Sequence, residues 1–246
     1  MFDLSLFPLK TVLFPGMPLY LHVFEDRYKQ MIATCLERQE PFGVVLIEKG
    51  YEAFDPKAIP HAIGCTTQIA RIEPLGEGRM KLMGIGQDRF RILALNHDHD
   101  YLVGEVELDP MHGKEPERLS FEGNRLRSWL TRYLTILNSA GHIDFDLDGL
   151  PDDPLLLAYL AATLLRTPTV QNDVQLGILI AAGNRLAQTP IQFRGFTAQQ
   201  QLLLESTDAA AFLNDLCMIY RREVMFLSSI LSTAEQSSQI DILSQN

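Results

Sequence analysis

Three short runs in this 246-residue sequence gather side chains able to do chemistry. Asp144-x-Asp146-x-Asp148-Gly149 copies the first half of a calcium loop, in which alternate carboxylates supply oxygens and the glycine permits the sharp turn. The pattern then stops. Leu155 stands where a bidentate glutamate should complete the shell, and Pro151 interrupts the second half, so the run reads as an acidic linker. His97-Asp98-His99-Asp100 puts both imidazoles on one side if extended, but two ligands are not a metal site and spacing places no third. A polar hairpin loop is the reading there. Gly84-x-Gly86 has Arg89 where the third glycine of a dinucleotide fingerprint belongs. No GxxxxGK[ST] phosphate loop occurs; the one Gly-Lys pair is Gly113-Lys114, followed by Glu115. No serine sits in a recognisable nucleophile elbow. The expectation is a chain with no catalytic residue, no metal and no cofactor.

Composition narrows the partners. Apolar residues make up 46% and charged residues 21%, enough for an ordinary core and too apolar for wholesale disorder. The net charge is −10, and the acidic excess is the same in residues 1–113 as in residues 114–246. A protein that lives on nucleic-acid phosphates needs the opposite sign. Cys35, Cys65 and Cys217 are widely spaced and odd in number, so they spell neither a disulfide framework nor a metal knuckle. The start, Met1-Phe2-Asp3-Leu4, lacks a basic region, and Pro8, Pro15 and Pro18 break the apolar stretch of a signal peptide. The longest apolar run, Leu155 to Leu165, is too short to span a bilayer. A cytoplasmic protein without membrane contact is expected.

The elements that must position any site fall into two textures, dividing near residue 113. In the first half, Leu4, Leu6 and Phe7-Pro8 begin an extended segment, and Pro15-Gly16 marks a turn before Leu19, Leu21 and Val23. Glu25 and Asp26 suit a helix start, followed by a stripe of Tyr28, Met31, Ile32, Cys35 and Leu36. Phe42 to Ile47 is a buried strand, and Gly76-Glu77-Gly78 turns a hairpin between Thr67–Leu75 and Arg79–Ile85. Two further strands hold Phe90 with Ile92, and Leu102 with Val106 and Leu108. Short strands with regular turns suggest a closed or half-closed barrel. The second half is helical. Leu126 to Leu137 forms one apolar face, Asp153-Pro154 caps a second helix, and Val174–Leu186 reads as a third. Phe212 to Leu231 stripes a fourth, and residues 232–246 are polar enough to fray.

One set of residues is specific. Leu6-Phe7-Pro8-Leu9, Val12-Leu13-Phe14-Pro15-Gly16 and Leu19-x-Leu21-His22-Val23-Phe24-Glu25-x-Arg27-Tyr28 together resemble the opening signature of the Lon protease N-terminal domain family. Phe42 to Ile47, Gly84-Ile85-Gly86 with Arg89-Phe90-Arg91-Ile92, and Tyr101 to Val106 follow in the family's order. Asp26 stands where the family often has proline, and Gly64-Cys65 where glycine-threonine is usual. The helical half is a looser match, and residues 169–196 have no counterpart. The resemblance implies an α+β protein: a PUA-like β-barrel over residues 1–113 with one helix, then a helical bundle over 114–246.

Most of these motif residues have a structural account. Pro15 and Gly16 fix a turn; His22, Phe24, Tyr28, Gly86 and Phe90 fit strands and core. Glu25 and Arg27 lie too close to share a helix face, so each is expected to pair elsewhere, and Arg27 or Arg89 can anchor an internal carboxylate. What the resemblance implies for function is recognition of unfolded or degron-bearing polypeptide, alone or beside a Lon-type protease. Lon-type cleavage needs a serine activated by a lysine, yet no lysine follows Lys114. The candidate contacts are Tyr51, Phe54 and Ile59 in the loop-like segment 49–61. Two other classes compete: an RNA-binding PUA-like protein, which the even negative charge opposes, and a hydrolase with a cryptic metal site.

Overall fold

A computed structural model of the chain describes residues 1–52, 58–113, 115–141, 147–165 and 196–243. The order of elements is β1 (Phe2–Leu9), β2 (Pro18–Val23), α1 (Asp26–Arg38), β3 (Phe42–Lys49), β4 (Ile59–Gly76), β5 (Arg79–Asn96), β6 (Val103–Leu108), then α2 (Pro116–Gly141), α3 (Pro154–Leu164), α4 (Phe196–Glu205) and α5 (Ala209–Leu243). Among the described residues no strand follows β6. The expected helix Val174–Leu186 lies outside them.

Two compact units partition the chain. The first holds Met1–His112 together with Ala162–Leu165 and Thr197–Asp208; the second holds the remainder. In the first unit β5, β4, β3, β1 and β6 are hydrogen-bonded in that order, and β6 returns to β5, which closes a ring of five strands. β1 runs parallel to β3, and the other pairings are antiparallel. β2 stays outside the ring, paired with residues Met80–Ile85 of β5.

The sequence suggested separate strands for Arg79–Ile85 and for Phe90 with Ile92. They are one strand of 18 residues. Gly84 and Gly86 do not break it, because β4 holds that stretch on one side while β2 and Met17 hold the other. The early part of β5 therefore serves the outer sheet with β2, and the late part closes the ring with β6. Phe90 fills the ring beside Leu4, Leu6, Val45, Leu102 and Val106. A Cβ at Gly43 or Gly64 would fall within 2.8 Å of its ring, so those strands approach as closely as they do only because both positions are glycine.

α1 begins at Asp26, whose carboxylate suits the positive end of the helix dipole. It buries Tyr28, Met31, Ile32 and Cys35. Leu36, expected in the same stripe, is 47% exposed, in the last turn before the left-handed Gln39 ends the helix. In the second unit, Asp153 caps α3 as expected, its Oδ1 accepting from Leu156 N–H at 2.7 Å. Leu126, Leu130, Leu134 and Leu137 of α2 are buried, and Tyr133 meets Tyr220 of α5 edge-on at 5.1 Å. Burial raises the Tyr133 phenol to about 12. Tyr220 satisfies its own buried hydroxyl by donating to the Ala161 carbonyl at 2.7 Å. Residues 232–243, expected to fray, are helical as the end of α5, which runs to Leu243.

Candidate functional site

The motif residues are placed by contacts within the first unit. Gly16 adopts φ 76° and donates its N–H to the Gly86 carbonyl at 2.8 Å, while Gly86 N–H donates to Met17 at 3.0 Å. A Cβ on Gly86 would sit 2.4 Å from the Phe14 carbonyl oxygen, so this crossing of turn and strand requires glycine. Thus the Pro15-Gly16 turn is locked onto β5, and β2 leaves it in a fixed direction.

Glu25 and Arg27 pair with each other, contrary to expectation, through Arg27 Nε to Glu25 Oε2 at 2.9 Å. The rule against neighbours two apart holds for helical residues. Glu25 is the residue before the helix, with extended φ −74° and ψ 136°, and that swings its carboxylate back toward Arg27. Arg27 also lies over the Tyr28 ring at 4.5 Å, and Tyr28 stacks on Phe7 at 4.0 Å.

Arg89 does anchor an internal carboxylate. Its side chain is 2% exposed and donates to Asp109 Oδ2 at 2.8 Å, and Arg91 adds a second bond at 3.1 Å. Another Arg89 nitrogen donates to the Ser206 carbonyl, which ties the end of α4 to β5 within the first unit. Burial alone would raise the Asp109 carboxyl, but the two guanidiniums outweigh it and hold it below the ordinary carboxylate value. Gln201 supports the same segment, donating to the Ile63 carbonyl at 3.1 Å and to Glu205 at 2.9 Å. Sequence reasoning assigned Gln201 no role. A buried glutamine in an amphipathic run gives no signal until its partner strand is known.

The chemical candidates stay apart or fall outside view. Asp144 and Asp146 of the acidic run lie outside the described residues. His97 and His99 line a cavity of about 70 Å³ with Arg27, Tyr28, Asp100 and Tyr101, and His99 stacks on Tyr101 at 5.9 Å. Among the described residues no three His, Cys, Asp or Glu side chains come together as a metal cluster. All three cysteines are buried, and burial raises each thiol: Cys217 to about 11, and Cys35 despite an opposing hydrogen bond with Ser5. None is a poised nucleophile. No helix among the described residues is long and apolar enough to cross a membrane.

What remains is surface. Of the loop candidates, Tyr51 is 72% exposed with Lys10 Nζ 5.6 Å from its ring centre, Ile59 is 48% exposed, and Phe54 lies outside the described residues. A larger feature was not singled out from the sequence. The outer sheet of β2, β5 and β4 carries a groove of about 460 Å³ lined by Tyr20, Leu21, His22, Arg71, Glu73, Lys81, Leu82 and Met83. Register places Tyr20, Met83 and Arg71 in one cross-strand row, with His22, Lys81 and Glu73 in the next. Tyr20 is 73% exposed at its rim. The alternation of Leu19, Leu21 and Val23 against Tyr20 and His22 was the available signal, but only register shows which residues join them.

Residues 3–172 match the model of the ATP-dependent protease La (LON) substrate-binding domain. The chain belongs to the Lon substrate-binding domain family. Among solved structures it is similar to a Lon N-terminal domain protein from Xanthomonas campestris, with a TM-score of 0.57 and 25% identity over 88% of this chain and 97% of that one. It shares its fold with the N-terminal domain of a Mycobacterium avium complex Lon protease, with a TM-score of 0.53 and 14% identity over 89% and 98% of the two chains. A LON peptidase N-terminal domain and RING finger protein of Schizosaccharomyces pombe is 27% identical over 130 residues, 45% of this chain. That match spans 27% of the yeast protein's length.

Proposed function

We propose that this Lon-domain chain is a polypeptide-binding module that captures unfolded or degron-bearing protein in the cytoplasm and does not cleave it. The observation that carries this reading is the groove on the outer sheet, where the side chains of Tyr20 and Met83 supply apolar wall, Leu21 and the buried Leu82 lie beneath, and His22, Arg71, Glu73 and Lys81 form a polar rim. A concave, mostly apolar surface with a few polar groups suits a ligand chosen for exposed apolar side chains. Family membership supports it, since the matched model is the protease's substrate-binding domain. The exposed Tyr51 and Ile59, with Phe54, form a second contact, and a Lon-type protease is a fitting recipient of the captured chain.

A single site of this size would bind with micromolar affinity, about −8 kcal/mol. The test is to incubate the protein with reduced, fluorescently labelled casein, with and without ATP. Saturable binding with intact casein is expected. ATP-dependent fragments, or no binding to any unfolded chain, would overturn the proposal. Replacing Tyr51 and Phe54 by Ala should weaken binding and leave Tm nearly unchanged.

A further inference from the structure

We propose that polypeptide is captured by strand addition to the free edge of β2, in an extended segment carrying an apolar and an acidic side chain two residues apart. The inference rests on the polypeptide-binding reading and names its mode and sequence preference. β2 pairs with β5 on one side, and no strand among the described residues pairs with the other. The donation from Gly86 N–H to Met17 sets the phase of that ladder. Main-chain groups alternate in direction along a strand, so Leu19, Leu21 and Val23 turn theirs to β5, while Tyr20 and His22 present an N–H and a C=O outward.

Proteins blunt such edges with charge, proline, a bulge or a covering element. β2 carries only Pro18 at its first position; Leu19-Tyr20-Leu21-His22-Val23 has no Lys, Arg, Asp or Glu, and its register with β5 is uninterrupted. An extended chain laid there gains main-chain hydrogen bonds whatever its sequence, and every second side chain faces the groove. One such side chain lies beside Tyr20, the edge member of a row that continues to Met83 and Arg71, and is selected as apolar. The next lies beside His22, in the row that continues to Lys81 and Glu73.

Charge decides that second choice. In a protein of net charge −10, this groove holds Arg71 and Lys81 against Glu73 alone, and His22 beside them. Lys81 reaches Glu73 at 4.0 Å, and Arg71, one row along beside Met83, has no ion pair among the described residues. The local cationic surplus favours an acidic side chain and opposes a lysine.

The experiment uses the full chain and three short fluorescein-labelled peptides in a serine-threonine background: one with Leu and Glu two residues apart, one with Lys in place of Glu, and one N-methylated on the alternate amides that would meet β2. The first should bind saturably and slow hydrogen exchange at the Tyr20 and His22 amides. The lysine and N-methylated peptides should each bind about tenfold more weakly. An Arg71→Glu/Lys81→Glu variant, altered only at exposed positions, should reverse the acidic preference. Equal binding of the N-methylated peptide, unchanged exchange at Tyr20 and His22, or no peptide binding would overturn strand addition. So would amides already protected in the free protein in a concentration-dependent way, which would make a second copy the occupant. Casein capture with unchanged edge amides leaves the polypeptide reading standing and removes this one. Edge protection by peptide without casein capture does the reverse.

Discussion

Removing either partner of the Arg89–Asp109 pair should destabilise the first unit, and by unequal amounts. Arg89→Met loses a charge-assisted hydrogen bond to Asp109, about 1.5–3 kcal/mol, and the bond to the Ser206 carbonyl, about 1 kcal/mol. Two features reduce the loss. Asp109 keeps Arg91 at 3.1 Å, and Arg89 Nε, buried without a hydrogen-bond partner among the described residues, no longer carries that cost. A net destabilisation of about 2–3 kcal/mol is expected. Asp109→Leu instead strands a guanidinium that is 2% exposed, and a buried charge left without its partner costs about 3–5 kcal/mol. The double variant Arg89→Met/Asp109→Leu should cost less than the two single effects added, since no charge is then stranded at Arg89. Urea unfolding, read by circular dichroism and by amide exchange in β5 and β6, measures all three. The lone Trp129 is unsuitable as the probe, because it reports on the second unit. If Asp109→Leu is as mild as a surface change, or Arg89→Met is the costlier, Asp109 is not the carboxylate that balances the buried Arg89 charge as argued.

Two more outcomes follow from titration and burial. The Asp109 carboxyl is held below its ordinary value of 3.8, so its stabilisation is present above that value and is lost as pH falls through the lower folded value. Asp109→Asn should therefore flatten the acid limb of a stability-against-pH curve below about pH 4, and an unchanged limb would show that other carboxylates set it. The thiols Cys35, Cys65 and Cys217 are all buried and all raised, so a thiol reagent should label none in native buffer at pH 8 and all three in denaturant. Rapid native labelling of any of them would contradict the packing described.

Much of the scaffold was legible in the sequence because its signals are local. The Gly76-Glu77-Gly78 turn has positive φ at all three residues, as a tight hairpin between twisted strands demands. The 3.6-residue stripe of α1 and the Asp153 cap of α3 each depend on neighbours within a turn or two. The opening motif, with its prolines and glycines, was enough to point to the Lon-domain family.

The tertiary structure decided what depends on distant partners. A period-two pattern tells which face of a strand is buried but not which strand lies beside it, so a closed sheet could be expected but not that β6 closes it onto β5. Nor could the groove, whose lining comes from residues 20–22, 71–73 and 81–83 brought together by register. Arg89 could be suspected of holding a carboxylate. Its partners, 20 and 117 residues away, were fixed only by folding. Thr197–Asp208, although it lies in the half that reads as helical, belongs with the strands of the first unit, because Arg89 and Gln201 hold it there. Local pattern specifies each element, since backbone geometry repeats over a few residues. Which elements meet, and so which edge and which groove stay open, is settled by pairing across the whole chain.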